Sequence, residues 1–429
     1  MAKPKSLYVC LNCDRSFSRW AGRCPNCGEW NTLTEEKTGE RSSQALPADL
    51  VTVADLPKQK VQRLITGNTE FDRVLGGDDP GVVRGSVVLL SGNPGVGKST
   101  LLLQIAAALK KSLYFSAEES LQQLTIRSQR LGINSPTLRL SSERDTSRII
   151  AAIQQEKPDF VVIDSVQTIY DETVAGTPGS LVQVRENTWR LQQFAKTTDT
   201  AILLVGHVTK EGVVAGPKTL EHLVDAVLFL EGEKQTGLRL LRSDKNRYGP
   251  TDEVGIWQLL RTGFQPVEDP GKLFASLLGS DVPGRALTVA LEGSRSFLVE
   301  IQALVSKTSY GYPKRTAQGI DQNRLNVLIA VLENRLGLPL SNYDIYVSVV
   351  GGFTVKDPGI DVAVAAAIIS GLTKRPLADK LVVIGEIGLL GEIRPAAEHE
   401  KRKKEITRLK YQMTGKINSL SQLKQLFSK

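Results

Sequence analysis

The sequence predicts an α/β protein with a parallel-sheet core, a small cysteine-bearing module before the core and an α+β region after it. From about Val61 onward, short apolar runs alternate with helical patterns, which is typical of strands joined by crossover helices. The chain has 429 residues, and its four cysteines all lie among the first 27 residues. Past Pro270 the alternation of strand and helix patterns begins again, and 429 residues exceed what one hydrophobic core organises. We therefore expect two to three domains.

Composition disfavours a membrane-spanning chain and favours an anionic partner. Hydrophobic residues make up 41% of the chain, and no apolar run approaches the ~18 residues that a membrane helix needs. No apolar signal region follows the start of the sequence, so we expect a cytoplasmic protein without a membrane partner. The formal net charge of +8 favours nucleic acid as a partner, although a well-solvated surface would have the same charge.

The cysteines form two Cys-x-x-Cys pairs, Cys10 with Cys13 and Cys24 with Cys27, separated by ten residues. A two-residue gap lets both thiolates of a turn face one ion, so the pattern predicts a structural Zn²⁺ site. Two disulfides or a redox pair are the alternatives, but the first needs an oxidising compartment and the second a βαβ context. We expect a zinc ribbon over residues 1–33 that depends on the metal for its folding energy, followed by a polar, flexible linker over residues 34–60.

A phosphate-binding loop lies in the predicted core. It matches G-x-x-x-x-G-K-[ST] in full, with the residues Gly92, Asn93, Pro94, Gly95, Val96, Gly97, Lys98, Ser99 and Thr100. A strand pattern at 87–90 precedes the loop and a helical pattern at 101–109 follows it, so a chance Gly-rich turn is a poor alternative. The motif predicts ATP binding: backbone N–H groups and Lys98 contact the phosphates, and the Ser99 hydroxyl reaches Mg²⁺.

Carboxylates end two further predicted strands. The apolar run 160–165 contains Asp164 at its end, and the carboxyl ends of parallel strands face the ligand crevice. Asp164 is therefore expected to hold Mg²⁺ or its water shell. The strand pattern at 113–119 ends in Glu118 and Glu119, either of which would orient the attacking water. Solvated strand ends without a catalytic role are the alternative for these acids.

A third strand pattern, 201–205, leads to His207. This histidine is placed to contact the γ-phosphate and to signal its presence to the segment that follows, and a structural histidine is an equal alternative. Two stretches punctuated by glycine and proline, 173–180 and 211–218, suit loops that become ordered on a ligand.

The order of these motifs, completed by Lys-Asn-Arg-Tyr-Gly at 245–249, closely resembles the bacterial RadA (Sms) family of the RecA superfamily. The resemblance runs along nearly the whole chain, and the 245–249 motif is its most specific marker. It implies a RecA-like ATPase core over residues 61–268 that binds single-stranded and branched DNA, hydrolyses ATP in a DNA-stimulated way and promotes branch migration beside RecA recombinase. It also implies that copies of the chain form a ring, expected to be a hexamer. The family's functional positions fall on Lys98, Ser99, Asp164, Glu118 or Glu119, Lys245 and Arg247.

Lys245 and Arg247 also have a physical interpretation. They follow a strand-like run at 238–242 and alternate by two, so they point to one side of an extended segment. Two cations on one face can reach the γ-phosphate of a neighbouring subunit or bind DNA phosphates. A plain basic strand end is the alternative.

The region 269–429 resembles the Lon protease domain, an α+β relative of ribosomal protein S5 domain 2. Strands are predicted at 286–293, 298–305 and 345–350, and a helix at 323–336. Lon-like proteases carry a serine after a Lys-Asp-Gly-Pro run, whereas this chain has Ile360 at that position, so we expect no proteolytic nucleophile.

We interpret the region as a scaffold for the ring. The side chains that would offer a basic surface to DNA are Lys314, Arg315, Asn323 and Arg324. The basic run at 401–404 is interpreted as a solvated helix face. From about Tyr411 the chain departs from the family and looks shortened, which puts the last strand of the domain in question.

Two functions are compatible with these observations. The first is a DNA-dependent ATPase that forms a ring on single-stranded DNA and drives branch migration of displacement loops during DNA repair. The alternative is a nucleotide-gated DNA- or protein-binding assembly factor of the same superfamily that does not translocate. An active ATP-dependent protease is disfavoured by Ile360.

Overall fold

The computed structural model describes residues 7–13, 15–36, 52, 61–207, 220–232, 237–267, 282–309, 311–350 and 354–427. The chain divides into two compact units. The first comprises Met1–Glu231, Leu241–Thr251 and Leu260–Phe264. The second comprises Gly232–Leu240, Asp252–Leu259 and Gln265–Lys429. The division is interleaved, in contrast to the single boundary predicted at residue 268, because the chain passes more than once between the units.

The amino-terminal ribbon is a three-stranded antiparallel sheet in the order β2-β1-β3. Its strands are β1 Leu7–Cys10, β2 Ser16–Phe17 and β3 Leu33–Glu36. The predicted linker begins too early, since residues 34–36 pair with β1, with Glu35 opposite Tyr8. The rest of the predicted linker, residues 37–60, lies outside the described residues except for Thr52.

A nine-stranded sheet has most of its strands in the first unit. Its strand order is β14-β13-β12-β11-β6-β10-β9-β7-β8. A separate antiparallel pair is formed by β4 Arg63–Leu64 and β5 Val82–Val83. The strands of the large sheet are β6 Val87–Gly92, β7 Ser112–Ser116, β8 Leu138–Ser141, β9 Phe160–Asp164, β10 Ala201–Val205, β11 Ala226–Gly232, β12 Leu238–Asn246, β13 Val254–Leu260 and β14 Gly263–Pro266. The helices are α1 Thr69–Gly76, α2 Lys98–Ala108, α3 Leu121–Arg130, α4 Thr146–Glu156 and α5 Leu181–Thr198.

The strands from β11 to β8 in this order are parallel, so their carboxyl ends lie along one edge. Strands β6, β7, β9 and β10 are buried along their whole length, as expected for parallel strands covered on both faces. The predicted strands at 87–90, 160–165 and 201–205 are confirmed. Strand β7 ends at Ser116, so Glu118 and Glu119 lie beyond the strand that was predicted to contain them.

The second unit contains a six-stranded sheet in the order β17-β18-β16-β15-β19-β22. Its strands are β15 Arg285–Glu292, β16 Arg295–Lys307, β17 Arg315–Gln318, β18 Tyr343–Val349, β19 Leu381–Val382 and β22 Gln412–Met413, and a two-stranded pair consists of β20 Glu386–Ile387 and β21 Ile393–Arg394. The helices are α6 Gln322–Leu336, α7 Asp361–Thr373, α8 His399–Arg408 and α9 Leu420–Gln425. The strands and helix predicted between residues 286 and 350 are confirmed.

The segment from Tyr411 onward belongs to this unit. Strand β22 pairs in parallel with β19 at the edge of the sheet. Leu420, Leu423 and Phe427 are buried in the same hydrophobic cluster as α6 and α7. The segment from Tyr411 therefore supplies both an edge strand and part of the core, although the sequence left its last strand in question.

Ile360 is buried, within a short 3-10 turn, Pro358–Ile360, that leads into α7. Beside it, Arg402 is fully buried and its guanidinium binds both carboxylate oxygens of Asp357, at 2.7 and 2.9 Å. The interpretation of 401–404 as a solvated face is therefore wrong for Arg402, because α8 packs this side chain inward against a carboxylate.

The predicted basic surface at Arg324 is also corrected. Its guanidinium forms a two-pronged ion pair with the buried Asp361, with Nε 3.0 Å from Oδ1, and it donates to the carbonyl of Ile387 at 3.1 Å. Burial raises the pKa of Asp361, and the Arg324 cation opposes this rise. Arg324 joins α6, α7 and β20 and has no unpaired charge to offer to DNA. Among the described helices, none is long and apolar enough to cross a membrane.

Candidate nucleotide-binding and catalytic site

The phosphate-binding loop joins β6 to α2 and requires glycine at two positions. A Cβ on Gly92 would lie 2.3 Å from the carbonyl oxygen of Leu230, and the φ of Gly92 is +152°. Gly97 caps α2 with a φ of +108°, a left-handed conformation that side chains disfavour. Ser99 and Thr100 occupy the first turn of α2, where helix N–H groups and the helix dipole favour an anion.

Lys98 lies beneath this loop. Its side chain is buried, and Nζ donates hydrogen bonds to the carbonyls of Gly92 at 2.9 Å and Asn93 at 3.3 Å. Burial lowers the pKa of Lys98, while the negative charges of Asp164 and Glu118 oppose this shift. The ammonium is therefore held at the loop in a field set by two carboxylates.

Glu118, Asp164 and His207 form a cluster at the carboxyl edge of the parallel sheet. One side-chain ligand atom from each lies within 4.8 Å of the others, although the three come from the ends of β7, β9 and β10. The strand register explains this convergence, since Ser116 of β7 is opposite Asp164, and Ile163 of β9 is opposite Leu204. The structure thus brings together three side chains that were predicted separately.

Glu118 is the best-connected acid of the cluster. Its Oε1 lies 3.2 Å from Nε2 of His207 and accepts a 2.5 Å hydrogen bond from Oγ of Ser165. The contact with His207, assisted by Ser165 and by the charge of Lys98, lowers the pKa of Glu118 to about 2, against an opposing effect of burial. Ser165, which is fully buried and follows a cis peptide bond after Asp164, was not identified from sequence.

Glu119 points elsewhere. Its carboxylate forms an ion pair with Arg127 of α3, and its backbone N–H and carbonyl both hydrogen-bond to Oγ of Ser116. The sequence left both glutamates open as the catalytic acid. Of the two glutamates, Glu118 is the one that clusters with Asp164 and His207.

Asp164 has a partner that sequence reasoning missed. The hydroxyl of Tyr114 donates a 2.6 Å hydrogen bond to Oδ2 of Asp164, and Tyr114 is 1% exposed. Burial, together with the charge of Asp164, raises the pKa of Tyr114 well above its usual value. The available signal was the position of a tyrosine two residues before the end of a buried strand, since side chains two residues apart on a strand share one face of the sheet.

Lys245 and Arg247 both contact the turn that precedes β11. The sequence predicted that Lys245 follows the strand, but β12 runs to Asn246, so Lys245 lies within it. Its Nζ donates to the carbonyls of Glu221 and, at 2.9 Å, Val224. Burial, with the Arg247 cation nearby, lowers the pKa of Lys245. The ammonium therefore has partners within its own chain.

Asp225 connects Arg247 to the strand of the phosphate-binding loop. Its buried carboxylate lies 3.3 Å from Nη1 of Arg247 through Oδ1 and accepts a 3.0 Å hydrogen bond from the N–H of Val87 through Oδ2. Val87 begins β6, which ends at Gly92 of the loop. The Arg247 side chain is nevertheless 46% exposed.

The rest of the 245–249 motif contacts Arg63 and Leu75, which lie near the start of the ATPase core. The amide of Asn246 donates to the carbonyl of Leu75 at 2.9 Å, and Arg63 donates to the carbonyl of Tyr248 at 2.5 Å. A Cβ on Gly249 would lie 2.4 Å from the same Leu75 oxygen. These contacts explain the asparagine and the glycine of the motif, for which the sequence alone gave no reason.

The two predicted loops have different outcomes. In the stretch 173–180, the Gln183 amide donates to the carbonyls of Val174 and, at 3.4 Å, Gly176, and Asp171 accepts from the N–H of Thr173. The first half of this loop is therefore already held by buried polar side chains without a ligand. The stretch 211–218 lies outside the described residues.

The four cysteines of the ribbon converge as predicted. Their Sγ atoms lie within 4.8 Å of one another, with 3.6 Å between Cys10 and Cys27 and between Cys13 and Cys24. None of the four forms a disulfide. Four thiolates around one Zn²⁺ at about 2.3 Å would lie about 3.8 Å apart, so the donor set fits a structural zinc ion.

The sheet, the phosphate-binding loop and the cysteine site together define a RecA-like ATPase with an N-terminal zinc ribbon. Family comparisons agree, since an AAA domain model matches residues 72–213 and a rubredoxin metal binding domain model matches residues 8–35. The DNA repair protein RadA of Bacillus subtilis is 45% identical over 422 residues, which cover 95% of this chain and 92% of that protein. The chain belongs to the bacterial RadA family.

Other relatives extend this result. RadA of Escherichia coli is 43% identical over 418 residues, covering 94% of this chain and 90% of that protein. Among solved structures, the RadB recombinase is 22% identical and a KaiC-like protein of Pyrococcus horikoshii is 16% identical, each covering 48% of this chain and 100% of its own. Their TM-scores of 0.37 and 0.40 are too low to carry an argument, so the fold assignment depends on the sheet described above and on the sequence relatives.

Proposed function

We propose that this protein is a DNA-stimulated ATPase that forms a ring, expected to be hexameric, on single-stranded DNA and promotes branch migration in DNA repair. Its substrates are displacement loops and other branched intermediates made by RecA recombinase. The observation that supports this most is the convergence of Glu118, Asp164 and His207 at the carboxyl edge of the sheet, with Lys98 in their field. Relatives named as DNA repair proteins give the biological setting.

In the proposed reaction, Lys98 binds the β- and γ-phosphates, and Ser99 and Asp164 are the residues that hold Mg²⁺. A magnesium ion at this place offsets the charge of the phosphates. Glu118 orients the attacking water. Because its pKa is about 2, this carboxylate stays ionised at neutral pH and acts by positioning the water more than by storing its proton.

His207 is proposed to report the γ-phosphate to the segment that follows it. It contacts Glu118, and it lies two residues after the end of β10. A change in the position of Glu118 during hydrolysis therefore reaches His207 in one contact.

Lys245 and Arg247 are proposed to transmit nucleotide state to DNA or to a neighbouring subunit. Lys245 holds the turn that precedes β11, and Arg247 reaches β6 through Asp225. The exposed part of Arg247 is available to an outside phosphate. Replacing either cation by alanine should leave unstimulated ATP turnover in place and abolish its stimulation by DNA. If both variants kept wild-type stimulation and strand extension, this role would be ruled out.

The decisive experiment is branch migration on a synthetic displacement loop with labelled strands. The wild-type protein should extend the heteroduplex only with ATP, and Lys98→Ala should not. ATP-dependent DNA binding without branch migration would instead support a nucleotide-gated assembly factor. Extension that does not need ATP would contradict a motor. Sedimentation with and without nucleotide tests the ring.

A further inference from the structure

Strand β7 places a tyrosine against the carboxylate that is expected to face the metal. In the register of β7 with β9, Tyr114 is opposite Val162 and Ser116 is opposite Asp164. Side chains two residues apart on a strand share a face, so Tyr114 and Asp164 are diagonal neighbours on one face of the sheet. This arrangement brings the phenol hydroxyl to 2.6 Å from Oδ2 of Asp164.

This hydrogen bond makes the two carboxylate oxygens of Asp164 unequal, because it occupies Oδ2. Oδ2 accepts from Tyr114, whereas no described residue donates a hydrogen bond to Oδ1. Tyr114 is 1% exposed and Asp164 is 5% exposed, so water has little access to replace the phenol. One oxygen is therefore fixed by the protein, and one is left for a cation or for a water molecule on that cation.

The number of available oxygens matters because Mg²⁺ and Ca²⁺ use carboxylates differently. Mg²⁺ is small, keeps a near-octahedral shell and takes a carboxylate through one oxygen, while Ca²⁺ accepts longer contacts and often takes both oxygens of one carboxylate. We propose that Tyr114 is a positioning residue that restricts Asp164 to one-oxygen ligation and thereby sets the preference of the nucleotide site for Mg²⁺ over Ca²⁺. This inference rests on the proposed role of Asp164 in metal binding and not on DNA translocation.

Tyr114→Phe tests the proposal because it removes only the hydroxyl. The measurement is binding of a fluorescent ATP analogue to the full-length protein, titrated with Mg²⁺ and separately with Ca²⁺. Loss of a hydrogen bond to a charged group should shift the ratio of apparent Mg²⁺ and Ca²⁺ affinities about tenfold toward Ca²⁺. Analogue binding in EDTA should stay within about twofold of wild type, since the phosphate loop is unchanged. Tyr343→Phe in β18 is the matched control and should leave the ratio unchanged.

A merely structural role for the hydroxyl would weaken binding with both cations alike and leave the ratio at its wild-type value, which would overturn the proposal. Asp164→Asn supplies a second check, because Tyr114→Phe should have no effect on the ratio in that background. If Tyr114→Phe does not fold, the wild-type protein still decides, since equal apparent affinity for Mg²⁺ and Ca²⁺ would contradict the inference. Failure of branch migration with an intact shift in the ratio would instead count against the proposed function alone.

Discussion

The buried ion pair between Arg402 and Asp357 predicts how much one side chain contributes to the stability of the second unit. Arg402 is 0% exposed and the Asp357 side chain is 9% exposed. The guanidinium also donates to the carbonyls of Val289 and, at 2.9 Å, Ala397. Arg402→Met keeps an apolar chain of moderate length but removes the charge and every one of these donors. It leaves the Asp357 carboxylate, the buried carbonyl of Val289 and the carbonyl of Ala397 without this partner.

The magnitude follows from what remains around Asp357. Removing one member of a buried pair costs about 3–5 kcal/mol. Asp357 retains hydrogen bonds from the N–H groups of Leu291 at 2.8 Å and Gly359 at 2.9 Å, which still stabilise its charge. We therefore expect a loss near the lower limit, about 3 kcal/mol in the free energy of unfolding of this unit. Adding Asp357→Asn removes the uncompensated charge, so the double variant should lose less than the sum of the single losses.

Tryptophan fluorescence during urea unfolding is a suitable assay. Trp257, in the second unit, is fully buried, whereas Trp20, Trp30 and Trp189 are 58%, 68% and 47% exposed, so the red shift reports mainly on Trp257. Arg408→Met is the control, because Arg408 pairs with Glu405 on the same helix and its side chain is 52% exposed. The control should lose less than about 1 kcal/mol. If Arg402→Met lost no more than Arg408→Met, the reasoning about the buried pair would be refuted.

Four further predictions concern the ATPase unit and the ribbon. Glu118→Gln should lower kcat of ATP hydrolysis by about 10²-fold or more, whereas Glu119→Gln, which breaks only an ion pair with Arg127, should stay within about threefold; equal losses would contradict the assignment. The pKa of Glu118 is lowered from 4.5 to about 2, so its ionised form is kept until the pH falls toward 2, and kcat should show no Glu118-dependent step near pH 4.5. A step there that Glu118→Gln abolishes would disprove this. Cys24→Ser should abolish the one zinc ion per chain expected by metal analysis, and full zinc content in that variant would exclude the four-thiolate site. Gly249→Ala, which places a Cβ 2.4 Å from a backbone carbonyl, should lower Tm by several degrees, whereas Gly415→Ala, with no atom within 4 Å of the added Cβ, should not.

Several features of the fold could be predicted from sequence because each depends on neighbours in the chain. The phosphate-binding loop needs glycines at fixed intervals between a strand and a helix, and the zinc site needs cysteines two residues apart within a turn. Buried parallel strands are short apolar runs, so β6, β9 and β10 were predicted within one or two residues. Asp164, at the end of β9, and Glu118, which follows β7, lie at one edge of the sheet as expected, since parallel strands end on the same side.

Other features depend on how distant segments pack. The basic run at 401–404 has a uniform charge in sequence, yet α8 turns Arg402 into the core and leaves its neighbours outside, because residues of a helix face different directions. Arg324 was expected to be free for DNA, but Asp361 on a different helix neutralises it. Neither partner is close in sequence, so no local pattern could reveal it.

The sequence by itself therefore determined that this protein is a RecA-like ATPase of the RadA family with a zinc ribbon, and it identified most residues of the site, although not Tyr114 or Ser165. Only the tertiary structure decided which of two adjacent glutamates faces Asp164 and His207, and which oxygen of Asp164 is held by Tyr114. The physical reason is that side-chain direction after a strand depends on backbone dihedral angles and on the register of strands about fifty residues apart, and neither is encoded in a local motif.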